Sequence, residues 1–159
     1  MKTYTLLAIL LCISISTYSQ NSQDKNAVKT TIKNFFKGFH KGDTLLLKKT
    51  IHKDLIAKTT FTTKKGDKVL RGTPNVYKTL MDFAKNVKPT DDYDEKILSY
   101  KILVDGNLAS VWTPYEFYNK GKFSHCGVNS FQLFNNNGNW EIIYLIDTRR
   151  RNGCKASKS

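Results

Sequence analysis

Three stretches in the last third of the chain, residues 108–118, 123–134 and 140–149, alternate apolar and polar positions with the two-residue period of half-buried strands. Asp105-Gly106-Asn107, residues 119–122 and the Asn-rich residues 135–139 supply the turns between them. With residues 96–104 as a fourth strand, the pattern predicts an antiparallel meander. Upstream the period lengthens to 3.6. Val28, Ile32, Phe35, Phe36 and Phe39 share one face of a helix over residues 24–40, with lysines between them. Lys41-Gly42 breaks that helix, Asp43 is placed to cap a second over residues 45–51, and residues 52–54 open a loop. Residues 57–63 and 68–71 read as a hairpin across Lys65-Gly66-Asp67. Thr73-Pro74 predicts the start of a third helix, whose apolar face is Val76, Tyr77, Leu80, Met81, Ala84 and Val87 and which ends at Pro89. Helices that lead into a long, paired antiparallel sheet indicate an α+β fold. A sheet strongly curved around the N-terminal helices makes a cone with an interior.

Residues 1–19 do not belong to this pattern. One early Lys, an apolar core over residues 6–15 and small residues at Thr17 and Ser19 describe a secretory signal peptide cut before Gln20. The expected protein is therefore exported, to the periplasm or the extracellular space. The apolar run is far shorter than the roughly 20 residues of a spanning helix, so membrane insertion is not expected. Leu10 and Leu11, rather than small residues, precede Cys12, which argues against a lipid anchor. Residues 20–150 read as a single domain, long enough for one core, and residues 151–159 as a polar tail.

A balance of 26 Lys plus Arg against 13 Asp plus Glu gives a formal charge of +13. The lysines are scattered, no zinc-finger or RNA-binding signature accompanies them, and export separates the chain from the genome. Nucleic acid is not the expected partner, and an anionic ligand or anionic envelope material is the simpler account. Cys126 and Cys154 remain after processing, bound for an oxidising compartment. Asn152-Gly153 could turn the chain back toward the sheet, so a bridge between them and two separate thiols are both open readings.

Counting register outward from the turns, with Phe134 opposite Trp140 and Tyr118 opposite Phe123, collects Trp112, Glu116, His125, Asn129, Phe131, Leu133, Ile143, Leu145, Asp147 and Arg149 on one face. Tyr100 can join them. A Glu beside a His raises its pKa and sets its tautomer, making His125 with Glu116 a candidate general acid/base pair. Asn129 and Arg149 could hold a carbonyl or oxyanion, and Trp112 could stack on a flat ring. The same residues also read as a ligand pocket without catalysis, or as a structural hydrogen-bonded network at the sheet end. No metal site is expected, since His40 and His52 lack ligand spacing, and no cofactor motif is present. Arg149, Arg150 and Arg151 form a run able to grip a phosphate or carboxylate.

The FHKGD and IHKDL segments, the helix around MDFAK, and above all ASVWTPYEFY, SHCGVNSFQLF and GNWEIIYLIDTRRR resemble the nuclear transport factor 2-like superfamily, also called SnoaL-like. Within it they resemble the secreted bacterial branch labelled lumazine-binding. The resemblance implies a conical, cystatin-like α+β domain with a pocket between sheet and helices, and frequent homodimerisation through the sheet. The superfamily includes isomerases, cyclases, hydrolases and non-catalytic binding modules. The Asp-Tyr-acid set of ketosteroid isomerases and the Asp-Arg-Asp set of epoxide hydrolases do not match residue by residue. The expected function is small-molecule binding, of a flat or anionic ligand, at Trp112, Glu116, His125, Asn129, Asp147 and Arg149. The alternatives are an isomerase, cyclase or dehydratase that uses His125, and a dimerising interaction module.

Overall fold

A computed structural model describes residues 2–88 and 90–154, with side chains described from residue 22. The leader read over residues 1–19 and the end of the tail, residues 155–159, lie outside the described side chains. Helix α1 (Lys2–Lys41) buries Val28, Ile32, Phe35 and Phe36, the stripe that the 3.6-residue period marks. It stops at Gly42, whose φ of 71° is left-handed; a Cβ there would lie 2.7 Å from the Ala84 carbonyl oxygen. Glycine thus ends the helix and lets the next layer approach it.

Helix α2 (Thr44–Lys48) is capped by Asp43, whose carboxylate accepts from the Leu46 N–H at 2.8 Å. The chain then enters strand β1 (Ile51–Thr62), where sequence periodicity suggested the end of a helix and a loop. A free sheet edge explains the difference: Ile142 N–H donates to Thr50 O at 2.9 Å, and buried Ile51 pairs with Ile142. Strand β2 (Lys68–Gly72) returns antiparallel to β1. Helix α3 (Val76–Asn86) is capped by Asn75 rather than by Thr73. The cap sits at a φ of 42°, a left-handed conformation that Asn tolerates and β-branched Thr resists.

The expected fourth strand is two strands, β3 (Tyr93–Ile97) and β4 (Lys101–Asp105). Both pair with β5 (Leu108–Asn119), β3 with residues 115–119 and β4 with residues 108–112. Pro114 lies at the gap. Having no N–H, it cannot continue a ladder on that edge, and only its carbonyl is used, by Leu98 N–H at 2.9 Å. Strands β6 (Lys122–Asn136) and β7 (Asn139–Arg149) complete a sheet of order β2-β1-β7-β6-β5-β3, with β4 also on β5. Among the described strands only β1 and β7 run parallel. The sheet curls around the helices without closing.

Phe131, fully buried on β6, receives Phe35 and Phe36 edge-on at 6.1 and 6.0 Å between ring centres. Val111, Leu133, Trp140 and Ile142 surround this contact. On the other sheet face Ile56, Leu108 and Trp112 are exposed. Cys126 and Cys154 form a disulfide with Cα atoms 5.9 Å apart, and Cys126 exchanges two backbone hydrogen bonds with Arg150. The bridge holds residues 150–154 against the end of β6.

Gly127 faces inward opposite Tyr115, and a Cβ on it would lie 1.7 Å from the Thr148 carbonyl oxygen and 2.8 Å from the Tyr115 ring. Both contacts are far below van der Waals distance, and one of them is to backbone. Gly127→Ala should therefore cost about 3 kcal/mol or more, at or above the top of the usual overpacking range. Denaturant unfolding checks this, and a loss under about 1 kcal/mol would show that the strands do not approach as closely as described.

Candidate functional site

Between the inner face of the sheet and helices α1 and α3 lies a cavity of about 330 Å³. Its helical wall is mostly apolar, formed by Phe35, Phe36 and Phe39 from α1 and Val76, Leu80 and Phe83 from α3, with Thr79 beside them. Phe39 and Phe83 stack with ring centres 4.5 Å apart, joining the two helices. The sheet wall ends in polar groups: Glu95 on β3, Tyr115 on β5, His125 and Asn129 on β6, and Asp147 and Arg149 on β7.

These groups partner one another. Tyr115 Oη donates to Asp147 Oδ2 at 3.3 Å and lies 3.0 Å from the Thr148 carbonyl oxygen. Arg149 Nε donates to the same Asp147 oxygen at 2.8 Å, and Asn129 Nδ2 donates to Glu95 Oε1 at 2.6 Å. Buried polar atoms need such partners, since leaving one unpaired costs about 1–3 kcal/mol.

Removal from water pushes the Glu95 carboxyl up to about 7; the Asn129 hydrogen bond opposes this, Asp147 adds to it and Arg149 opposes it. At neutral pH Glu95 therefore divides between acid and carboxylate. The Tyr115 phenol is also pushed up, by burial first and then by Asp147 and Glu95, so it stays protonated and donates. His125 is lowered by burial and by Arg149, with Asp147 opposing, and stands as a neutral imidazole near pH 7. Ser124 Oγ lies within hydrogen-bonding distance of its Nδ1, at 3.1 Å, and Phe117 packs beside its ring.

Of the residues selected from the sequence, His125, Asn129, Asp147 and Arg149 line the cavity, whereas Glu116 and Trp112 do not. The cause is a β-bulge. Tyr118 does pair with Phe123, but the register shifts at the next step, so Phe117, not Glu116, lies opposite His125. Glu116 then pairs with Cys126 and Trp112 with Ser130 on the other face. There Glu116 accepts from the Tyr118 phenol at 3.0 Å, and Trp112 is 51% exposed. At the other turn Phe134 pairs with Glu141 rather than with Trp140, which puts Ile142 rather than Ile143 on the inner face. A second bulge, between Gln132 and Leu133 on the β7 side, then returns Leu145, Asp147 and Arg149 to that face, and Asn129 faces Asp147. Tyr100 packs at the margin of the core, outside the residues lining this cavity.

Glu95 and Tyr115 were not among the sequence candidates. Their signal is positional. Tyr93, Glu95 and Ile97 alternate with Asp94 and Lys96, which sets an acid into the apolar half of a strand pattern. Tyr115 shares the parity of Thr113 and Phe117. Residues 89–95 carry the polar composition of a loop, which masks Glu95, and the bulge between β5 and β6 masks the inward parity of Tyr115.

No protein-family model and no curated protein matches the chain. Solved structures do. A nuclear transport factor 2-like protein with a cystatin-like fold from Novosphingobium aromaticivorans superposes with a TM-score of 0.65 at 11% identity, covering 91% of this chain and 92% of its own. A protein of unknown function from Mycobacterium tuberculosis gives 0.67 at 11% identity over 84% and 76%. A candidate dehydratase of the nuclear transport factor 2-like family from Streptomyces avermitilis gives 0.58 at 12% identity over 81% and 97%. The chain has the nuclear transport factor 2-like, cystatin-like cone fold.

The raised Glu95 pKa sets a pH dependence of stability. An unfolded Glu ionises near 4.5 and the folded one near 7, so Glu95's contribution is full below pH 4.5 and is lost as the pH rises to about 7. His40 acts in the opposite sense. It is 7% exposed among Phe36, Phe39 and Phe117, and burial lowers its pKa from 6.5 to about 4, so stability falls as it is forced to charge between those values. Glu95→Gln should leave stability unchanged at pH 4 and raise it by roughly 2 kcal/mol at pH 8, exposing the His40 slope between pH 4 and 6.5. Urea unfolding at the two pH values checks this, and an equal difference at both would refute it.

Proposed function

We propose that the protein is an exported small-molecule-binding protein whose ligand places an apolar ring among Phe35, Phe39, Leu80 and Phe83 and a polar atom against Glu95, Asn129 and Arg149. The observation that carries this reading is the division of one cavity into an apolar wall and a hydrogen-bonded end. Ligand sites take that form, with much apolar area and a few convergent polar groups. A half-protonated Glu95 can accept from a hydroxyl or donate to a carbonyl. Export is supported by the leader-like N-terminus and by the Cys126–Cys154 bridge, which suits an oxidising compartment.

One observation favours a second reading, proton transfer of isomerase or dehydratase type. A carboxyl with a pKa near 7 beside an apolar cavity is matched to general acid/base work at neutral pH. Glu95 takes the role that the sequence suggested for His125, because Glu116 is not beside His125 to raise its pKa. In this reading the Glu95 carboxylate would remove a proton α to a carbonyl, and Arg149 N–H would face the developing oxyanion.

2-Tetralone, a ring ketone, tests both readings. Saturable binding by calorimetry is expected, with loss of at least tenfold in affinity when Leu80→Trp fills the cavity. Absence of binding, or binding indifferent to Leu80→Trp, would overturn the cavity reading. Hydrogen–deuterium exchange α to the carbonyl should be accelerated by the protein and lost in Glu95→Gln; binding without acceleration would leave a binding protein and remove the enzyme.

A further inference from the structure

Beside the cavity mouth runs a second, open groove of about 920 Å³. Lys64 at the end of the β1–β2 hairpin and Arg149, Arg150 and Arg151 at the end of β7 line it, and among the described residues no carboxylate does. His125 and Arg149 line both spaces, so the groove and the cavity meet at one junction. Asp147 engages Arg149 from the cavity side. Arg150 and Arg151 are exposed and take part in none of the salt bridges found among the described residues.

The groove is held in shape. Cys126 and Arg150 exchange backbone hydrogen bonds at 3.0 and 2.9 Å, and the Cys126–Cys154 disulfide closes the segment that carries Arg151 and Asn152 onto β6. Positively charged side chains on an anchored turn lose less freedom on binding an anion than they would on a loose tail. Guanidinium groups match the paired oxygens of a carboxylate or phosphate. His125 at the junction is held below its ordinary range by burial first and then by Arg149, with Asp147 opposing and Arg151 adding to the lowering.

We propose that this groove binds the anionic group of the same molecule whose ring occupies the cavity, so that the ligand is a carboxylate or phosphate monoester of a ring compound. The proposal rests on the cavity reading and adds a class to it: the apolar part enters past His125, and the anion stays on the arginines outside. The net charge of +13 would draw such a ligand in and make its association salt-dependent.

Calorimetry with 2-naphthyl phosphate, 2-naphthol and inorganic phosphate tests it. 2-Naphthyl phosphate should bind at least about tenfold tighter than either other probe at low salt. The Arg150→Ala/Arg151→Ala variant, its fold checked by thermal unfolding, should reduce the preference over 2-naphthol to about threefold or less. Equal affinities for 2-naphthyl phosphate and 2-naphthol, or a preference untouched in the double variant, would overturn the anion groove and leave the cavity reading standing. Equal affinities for 2-naphthyl phosphate and inorganic phosphate would overturn the joint site. Failure of both naphthyl compounds to bind would overturn the cavity reading and this proposal together.

Discussion

One phenol ties the polar end of the sheet together. Tyr115 reaches from β5 across β6 to the Asp147 carboxylate and the Thr148 carbonyl on β7. Asp147 then orients Arg149, and Asn129, opposite Asp147 in the ladder, orients Glu95. The reach is open only because the residue of β6 beneath the Tyr115 ring is Gly127. A side chain there would displace the ring or the β7 backbone, and the hydrogen bonds that position Asp147 and Arg149 would go with it. The site therefore depends on an atom that is missing from the chain as much as on those present.

The same cluster holds opposed tendencies in balance. Glu95, Asp147 and Arg149 lie close enough to perturb one another, with two acids and one base in a partly dry setting. Keeping Glu95 partly protonated reduces the cost of enclosing that extra negative charge. Apolar packing by Phe35, Phe36 and Phe131 supplies the stability that lets such a cluster persist. Core and site share the sheet face because both need the cover of α1 and α3.

Much of this was legible from the sequence. The Phe stripe of α1, the α+β class, the three long C-terminal strands and the inward position of four of the six chosen residues follow from periodicity and turn chemistry. Register was harder. A bulge leaves no mark in a hydrophobic pattern, since it changes which residues face inward without changing their kinds. Trp112 and Glu116 were assigned inward for that reason alone. The division of β3 from β4 had a visible cause in Pro114, but its effect falls on a partner strand distant in sequence. Acids in a stretch such as PTDDYDE read as solvated loop; Asp92 does lie before β3, and Asp94 and Glu95 both pair with β5, but strand alternation exposes Asp94 and turns Glu95 inward.

The two bulges also separate the hairpin tips from the register around the cavity. Each takes up a one-residue offset between a turn and the strand body beyond it, at Ser124 on one side of β6 and at Ile143 on β7. A residue gained or lost at either tip can thus be absorbed before the offset reaches Tyr115, Asn129 or Asp147. The tips are free to drift in length while the interior keeps its alignment, and this makes residues 119–124 and 135–139 natural places to graft new loops onto an unchanged cavity.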